Sequence, residues 1–162
     1  MMPTTAGTNS HDATRPRELW VPPLGAALRI ARPFDLSHGP YAAGHRGVDV
    51  PAEPGTPVRS PVAGTVSFVG VVADRAVVSI RVDARTIVSL EPIASHLTVG
   101  DAVAPGDPIG AVSVGGHCAA ACLHLGVRVD DQYVNPMRFL RARPVLLPLR
   151  SVTGDGASPG SP

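Results

Sequence analysis

Gly64-Thr65-Val66-Ser67-Phe68-Val69-Gly70 alternates small or polar residues with apolar ones, the period-two pattern of a half-buried strand. Two further strand candidates follow. Ala76 to Val82 and Thr86 to Leu90 are β-branched and separated by a turn at Asp83-Ala84. Upstream, Leu28 to Ile30 predicts a first strand, then a Pro/Gly/His loop over 32–44, then a short strand from Val48 to Val50. Gly55-Thr56-Pro57-Val58-Arg59-Ser60 is a turn entering another strand. Downstream, residues 99–110 hold two turns with apolar residues between them, and Leu123 to Val129 is strongly β. Asn135-Pro136-Met137-Arg138-Phe139-Leu140 predicts one helical turn, with Asn135 as N-cap and Pro136 at its first position. Nothing alternates strand with long helix, so the fold class is all-β.

The 162 residues give room for one domain. With 18 Pro and 17 Gly, and apolar residues that are mostly Val, Ala, Leu and Ile, short strands and tight turns fit better than helices. Residues 1–17 read as a disordered leader, 18–149 as the folded domain beginning near Trp20, and 150–162 as a Ser/Gly/Pro-rich flexible tail. Charged residues are 17% and the net charge is +1, so no strong field favours nucleic acid or an anionic membrane. No apolar run is long enough to span a bilayer. Met1 to Arg17 has no apolar signal core. A monomer is expected, because no amphipathic heptad is visible.

Two histidines and one carboxylate stand in two short apolar runs: Gly44-His45-Arg46-Gly47-Val48-Asp49-Val50 and Cys122-Leu123-His124-Leu125-Gly126. His45, Asp49 and His124 make a zinc ligand set that leaves a fourth position for water, as catalytic zinc sites do. In a flat strand His45 and Asp49 would lie roughly 13 Å apart. The chain must bend between them, and Gly44 and Gly47 give it the freedom. The competing readings are an exposed loop histidine with a turn-forming aspartate, and a core histidine at 124 satisfied by other partners. Cys118 and Cys122 enclose Ala-Ala-Ala, a spacing that can close a small disulfide loop and points to an oxidising compartment. Two buried thiols are the alternative.

Gly44 to Asp49, then Gly55-Thr56-Pro57-Val58, then Gly64-Thr65-Val66, together resemble the lysostaphin/LytM-type zinc metallopeptidases. Val99 to Val103, Gly106-Asp107-Pro108-Ile109-Gly110, Leu123-His124-Leu125-Gly126 and Val134-Asn135-Pro136 continue the series in order. The resemblance runs from about Trp20 to Leu149. It implies an antiparallel β-sheet sandwich of the lysostaphin/LytM (duplicated hybrid motif) type. It also implies zinc held by His45, Asp49 and His124, hydrolysis of peptide bonds in peptidoglycan, and an extracellular or cell-wall location.

The chain departs from that family at two places. The first histidine of the family's His-x-His strand is Cys122 here, and the histidine of its Tyr-x-His-Leu stretch is Pro92, with Leu90 for the tyrosine. A hydrolase needs a group to move the proton to the leaving amine. His117, just ahead of the Cys118–Cys122 loop, and Glu91 are the candidates for that catalytic role; His96 is a third, expected at the surface. Arg46 is expected at the rim, exposed or facing acidic groups of a substrate. Two functions follow. One is a zinc endopeptidase acting on peptidoglycan cross-link peptides. The other is a catalytically degenerate domain of the same fold that binds wall peptide or regulates another wall hydrolase. A closed structural site of His117, Cys118, Cys122 and His124 is a further arrangement. A biotinyl carrier of related β architecture is excluded, since the chain has no Lys.

Overall fold

β-Branched runs too short to bury themselves pair edge to edge until two faces close on one core. The computed structural model describes residues 19–25, 27–37, 44–117 and 121–140. The expected leader 1–17 and tail 150–162, and also Cys118, lie outside them. Ten strands are described: β1 (Gly47–Pro51), β2 (Pro57–Arg59), β3 (Gly64–Val72), β4 (Arg75–Arg81), β5 (Thr86–Glu91), β6 (Ile93–Ala94), β7 (Ala102–Val103), β8 (Pro108–Val112), β9 (Cys122–Val129) and β10 (Gln132–Val134). The larger sheet runs β1-β9-β5-β4-β3-β7, with β10 also on β9, and the smaller runs β2-β8-β6. Every strand pair is antiparallel.

The expected antiparallel all-β class is therefore what the chain adopts. Val58, Ile93, Ile109 and Val112 of the small sheet are buried in one cluster with Val66, Ile80, Leu90, Leu123 and Leu125 of the large one. Full burial of each such side chain contributes about 1.5–3 kcal/mol. Among the described residues no helix is long and apolar enough to cross a membrane.

Two local expectations had different outcomes. Asn135 does cap a turn, accepting the Met137 N–H at 3.0 Å, and the turn over Pro136–Arg138 is a 3-10 helix. Leu28 to Ile30, by contrast, belongs to no strand. Leu28 and Ile30 pack against the core, but pairing begins only at the next residues, as isolated bridges Arg32↔Asp49 and Asp35↔His45. An apolar run can reach the core, yet it carries no information on whether a neighbour supplies hydrogen bonds.

The alternation that builds the core also builds the opposite face. On β9, Leu123, Leu125 and Val127 point inward and are fully buried. Cys122, His124, Gly126 and Arg128 therefore share the other face. Asp49 of β1 is directly opposite His124, and His124 is directly opposite Glu91 of β5. Three chemistry-bearing residues thus form one row across three adjacent strands, where opposed Cβ atoms are about 4.5–5.5 Å apart.

Candidate metal centre

His45 precedes β1 rather than lying on it, so it is not bound by the spacing of a flat strand. Its backbone N–H donates to Asp35 O at 2.7 Å and its carbonyl accepts from Asp35 N at 2.9 Å. This pairing turns the chain so that the ring reaches Asp49: His45 Nε2 is 3.0 Å from Asp49 Oδ1. His124 Nδ1 lies 2.7 Å from the same Oδ1 and 3.1 Å from His45 Nε2. His117 Nε2 approaches the other carboxylate oxygen, Oδ2, at 2.9 Å. One ligand atom from each of His45, Asp49, His117 and His124 lies within 4.8 Å of all the others.

The donor set fits a cation. His45 Nδ1 donates to Pro33 O at 2.7 Å, which places the proton on that nitrogen. In a neutral imidazole Nε2 is then a bare lone pair, aimed at Asp49 Oδ1, which is also an acceptor. Two buried acceptors facing each other at 3.0 Å need positive charge between them. Imidazole and carboxylate are zinc ligands, and a carbonyl that fixes a ligand's tautomer is the usual support of such a histidine.

Electrostatics agree. Burial pushes the Asp49 carboxyl up, but the hydrogen bonds of His117 and His124 and the nearby His45 and His124 charges outweigh it, holding the group below its usual 3.8. Burial pushes the His124 imidazole below its usual 6.5, against the bond and charge of Asp49. At neutral pH the site thus offers an anionic carboxylate and a neutral His124, the forms that bind metal.

Gly47 is needed for more than the bend. A Cβ there would collide with the Leu125 carbonyl oxygen and stand 2.5 Å from His124 Nε2. Gly47→Ala is expected to cost about 1–3 kcal/mol in a denaturant melt and to lower zinc occupancy. Gly55→Ala is the control: Gly55 has φ +89° but open space around it, so its variant strains a turn and leaves zinc content unchanged.

His117 arrives from the loop after β8. Gly115 and Gly116 hold φ of +117° and +75°, and a Cβ on Gly115 would collide with Asp74 O at the β3–β4 turn. Gly115, Gly116 and His117 border one small space with Glu91, Pro92, Cys122 and His124. Pro92 and Cys122 are the positions read above as replacing two family histidines. The His117 side chain is 39% exposed, against 4% for Asp49 and 13% for His124. It is the solvent-facing member of the cluster.

Glu91 lines the same cleft as His45, His117 and His124, a space of about 460 Å³. Its Oε1 accepts from Arg75 Nε at 2.7 Å. Arg75, Arg32 and Tyr133 also line the cleft, and no local sequence pattern distinguishes them; strand register brings Arg75 and Tyr133 there, and an isolated bridge to Asp49 brings Arg32. His96 is exposed in the segment between β6 and β7 and is not in the cluster. Cys122 is buried and stands outside the described cluster of His45, Asp49, His117 and His124, while Cys118, the other thiol of the His/Cys arrangement weighed above, lies outside the described residues.

The sequence model of Peptidase family M23 matches residues 43–136. An uncharacterized protein of Mycobacterium tuberculosis is 38% identical over 136 residues, covering 80% of this chain and 55% of that one. The chain thus spans about half the length of this relative. Among solved structures, Csd3 of Helicobacter pylori aligns with a TM-score of 0.63 at 28% identity, over 77% of this chain and 35% of that one. A zinc containing peptidase from Vibrio cholerae aligns with a TM-score of 0.60 at 20% identity, over 75% and 39%. These findings bear out the resemblance read from the motifs.

Proposed function

From the premise that this chain belongs to Peptidase family M23, we propose that it is a zinc-dependent endopeptidase acting on peptidoglycan cross-link peptides. The observation that carries the reading is the convergence of His45, Asp49 and His124 on one point, with His117 at its solvent side. The zinc content of the Vibrio cholerae peptidase supports the choice of metal.

Zinc, when bound, supplies a Lewis acid that polarises the scissile carbonyl and makes water a nucleophile near neutral pH. The chain's own residues do the rest. His45, Asp49 and His124 hold and orient the metal. His117 Nε2 takes a proton from the attacking water and returns it to the leaving amine. Glu91, with one oxygen held by Arg75, keeps the other for a proton or a substrate amide. A Cys118–Cys122 disulfide tethers the loop that carries His117, in keeping with Cys122 not being a free thiol. The reading places the protein, as a monomer, in the cell wall or outside the cell.

The test is release of new amino groups. Purified protein loaded with zinc is expected to release them from peptidoglycan, a chelator to stop the release, and added zinc to restore it. Zinc-loaded protein that releases none would leave the second reading, a degenerate domain that binds wall peptide or another wall hydrolase. Pro92 and Cys122, in place of two family histidines, are what favours it. Under that reading Pro92→His with Cys122→His together create activity that the native chain lacks.

A further inference from the structure

Arg32 and Arg46 line the cleft beside the metal cluster, and both are exposed. The segments that deliver the metal ligands deliver them too: Arg32 bridges Asp49 through the backbone, and Arg46 follows His45 in sequence. The carboxylates at this place are already engaged. Asp49 is bonded by three histidines and Glu91 by Arg75. Among the described residues no carboxylate lies within ion-pair distance of Arg32 or Arg46. Arg46 is held instead over the Tyr133 ring, 5.7 Å from its centroid, which limits the freedom its guanidinium would lose on binding.

In a chain whose net charge is only +1, two guanidinium groups that have no ion-pair partner among the described residues and line one cleft favour an anion there. Val72 and Val77 line the same cleft, so the occupant is partly apolar. A guanidinium pairs with a planar carboxylate through two parallel N–H···O bonds, a geometry that lysine does not offer. We propose that Arg32 and Arg46 form a carboxylate-recognition subsite, and that the ligand taken by this cleft is a peptide carrying a carboxylate close to the amide that lies at the metal.

The proposal rests on the peptidase reading only in taking the ligand to be a peptide. Its test therefore reads binding and not turnover. Three fluorescently labelled, N-acetylated probes of the same length, built from Ala and Gly, are titrated into the zinc-loaded full chain. One has a free C-terminal carboxylate, one an internal Glu with an amidated C-terminus, and one is amidated with no carboxylate. At least one acidic probe is expected to bind about five- to tenfold more tightly than the neutral one, equivalent to about 1–1.4 kcal/mol. Which acidic probe wins tells a terminal from a side-chain carboxylate.

In Arg32→Gln with Arg46→Gln the preference is expected to fall to near unity while zinc content stays at the native level, which shows the site intact. Equal affinity for the three probes, including binding of none, overturns the proposal. So does a preference that the double variant leaves unmoved. A chain that prefers the acidic probe but releases no amino groups from peptidoglycan would keep this subsite and lose the endopeptidase reading.

Discussion

His124→Ala is expected to lose its zinc and its activity together, while the native chain holds one zinc ion, measured by elemental analysis after dialysis. The geometry makes His124 hard to replace. Its Nδ1 is 2.7 Å from Asp49 Oδ1 and 3.1 Å from His45 Nε2, and β9 fixes it directly opposite Asp49. Loss of a hydrogen bond that merely supports a ligand costs about 10–100-fold in affinity. Loss of the ligand itself should cost more, leaving far less than one zinc per chain. Native zinc content in His124→Ala would remove the assignment.

The same site sets a pH dependence. His124 is depressed below 6.5, so protons compete with metal at this ligand only below the usual histidine range. Zinc should be lost on acidification, with His124 giving up its place as a ligand only at a pH below its usual 6.5. For the metal-free protein the sign is the same. Below 6.5 the unfolded His124 binds a proton that the folded one resists, so stability falls as pH falls. The stabilisation from Asp49, whose folded value lies below 3.8, is present above 3.8 and is lost as pH falls through that folded value.

His117→Ala separates proton handling from metal holding. His117 contacts Oδ2 of Asp49, whereas His45 and His124 share Oδ1, and it is the exposed member of the cluster. The variant is expected to keep its zinc and to lower kcat by about 10²–10⁴-fold, with KM little changed, as removal of a general acid–base does. A fall in zinc affinity as large as that of His124→Ala would instead make His117 a fourth ligand. A closed four-ligand site holds zinc for structure and has no open position for water, and the degenerate reading would then stand.

Much of the fold was legible because strand burial repeats every second residue. Thr86 to Glu91 alternates buried and half-buried along its whole length, and from Val88 on the sequence alternates apolar and polar in step with it, while Thr86 is buried and Ile87 only half-buried. Leu28 to Ile30 shows the limit: its apolar residues do pack on the core, yet no neighbour completes a ladder. The ligand set was legible in kind, since His45, Asp49 and His124 are zinc-binding types near glycines that permit a bend. How they meet was not, because 75 residues separate Asp49 from His124 along the chain.

By itself the sequence determined the residue types, the alternation that makes an antiparallel β domain, and the ordered motifs that carry its family resemblance. These are local properties, set by side-chain period and turn chemistry. Tertiary structure alone decided the register that sets Asp49, His124 and Glu91 in one row. It also decided the loop that brings His117 to Asp49 beside Pro92 and Cys122, the pairing of Glu91 with Arg75, and the placing of Arg32 and Arg46 in the same cleft. The reason is that these are contacts between distant segments. A one-residue slip of β9 would keep every local pattern and turn His124 into the core, and only packing of the whole sheet selects against it.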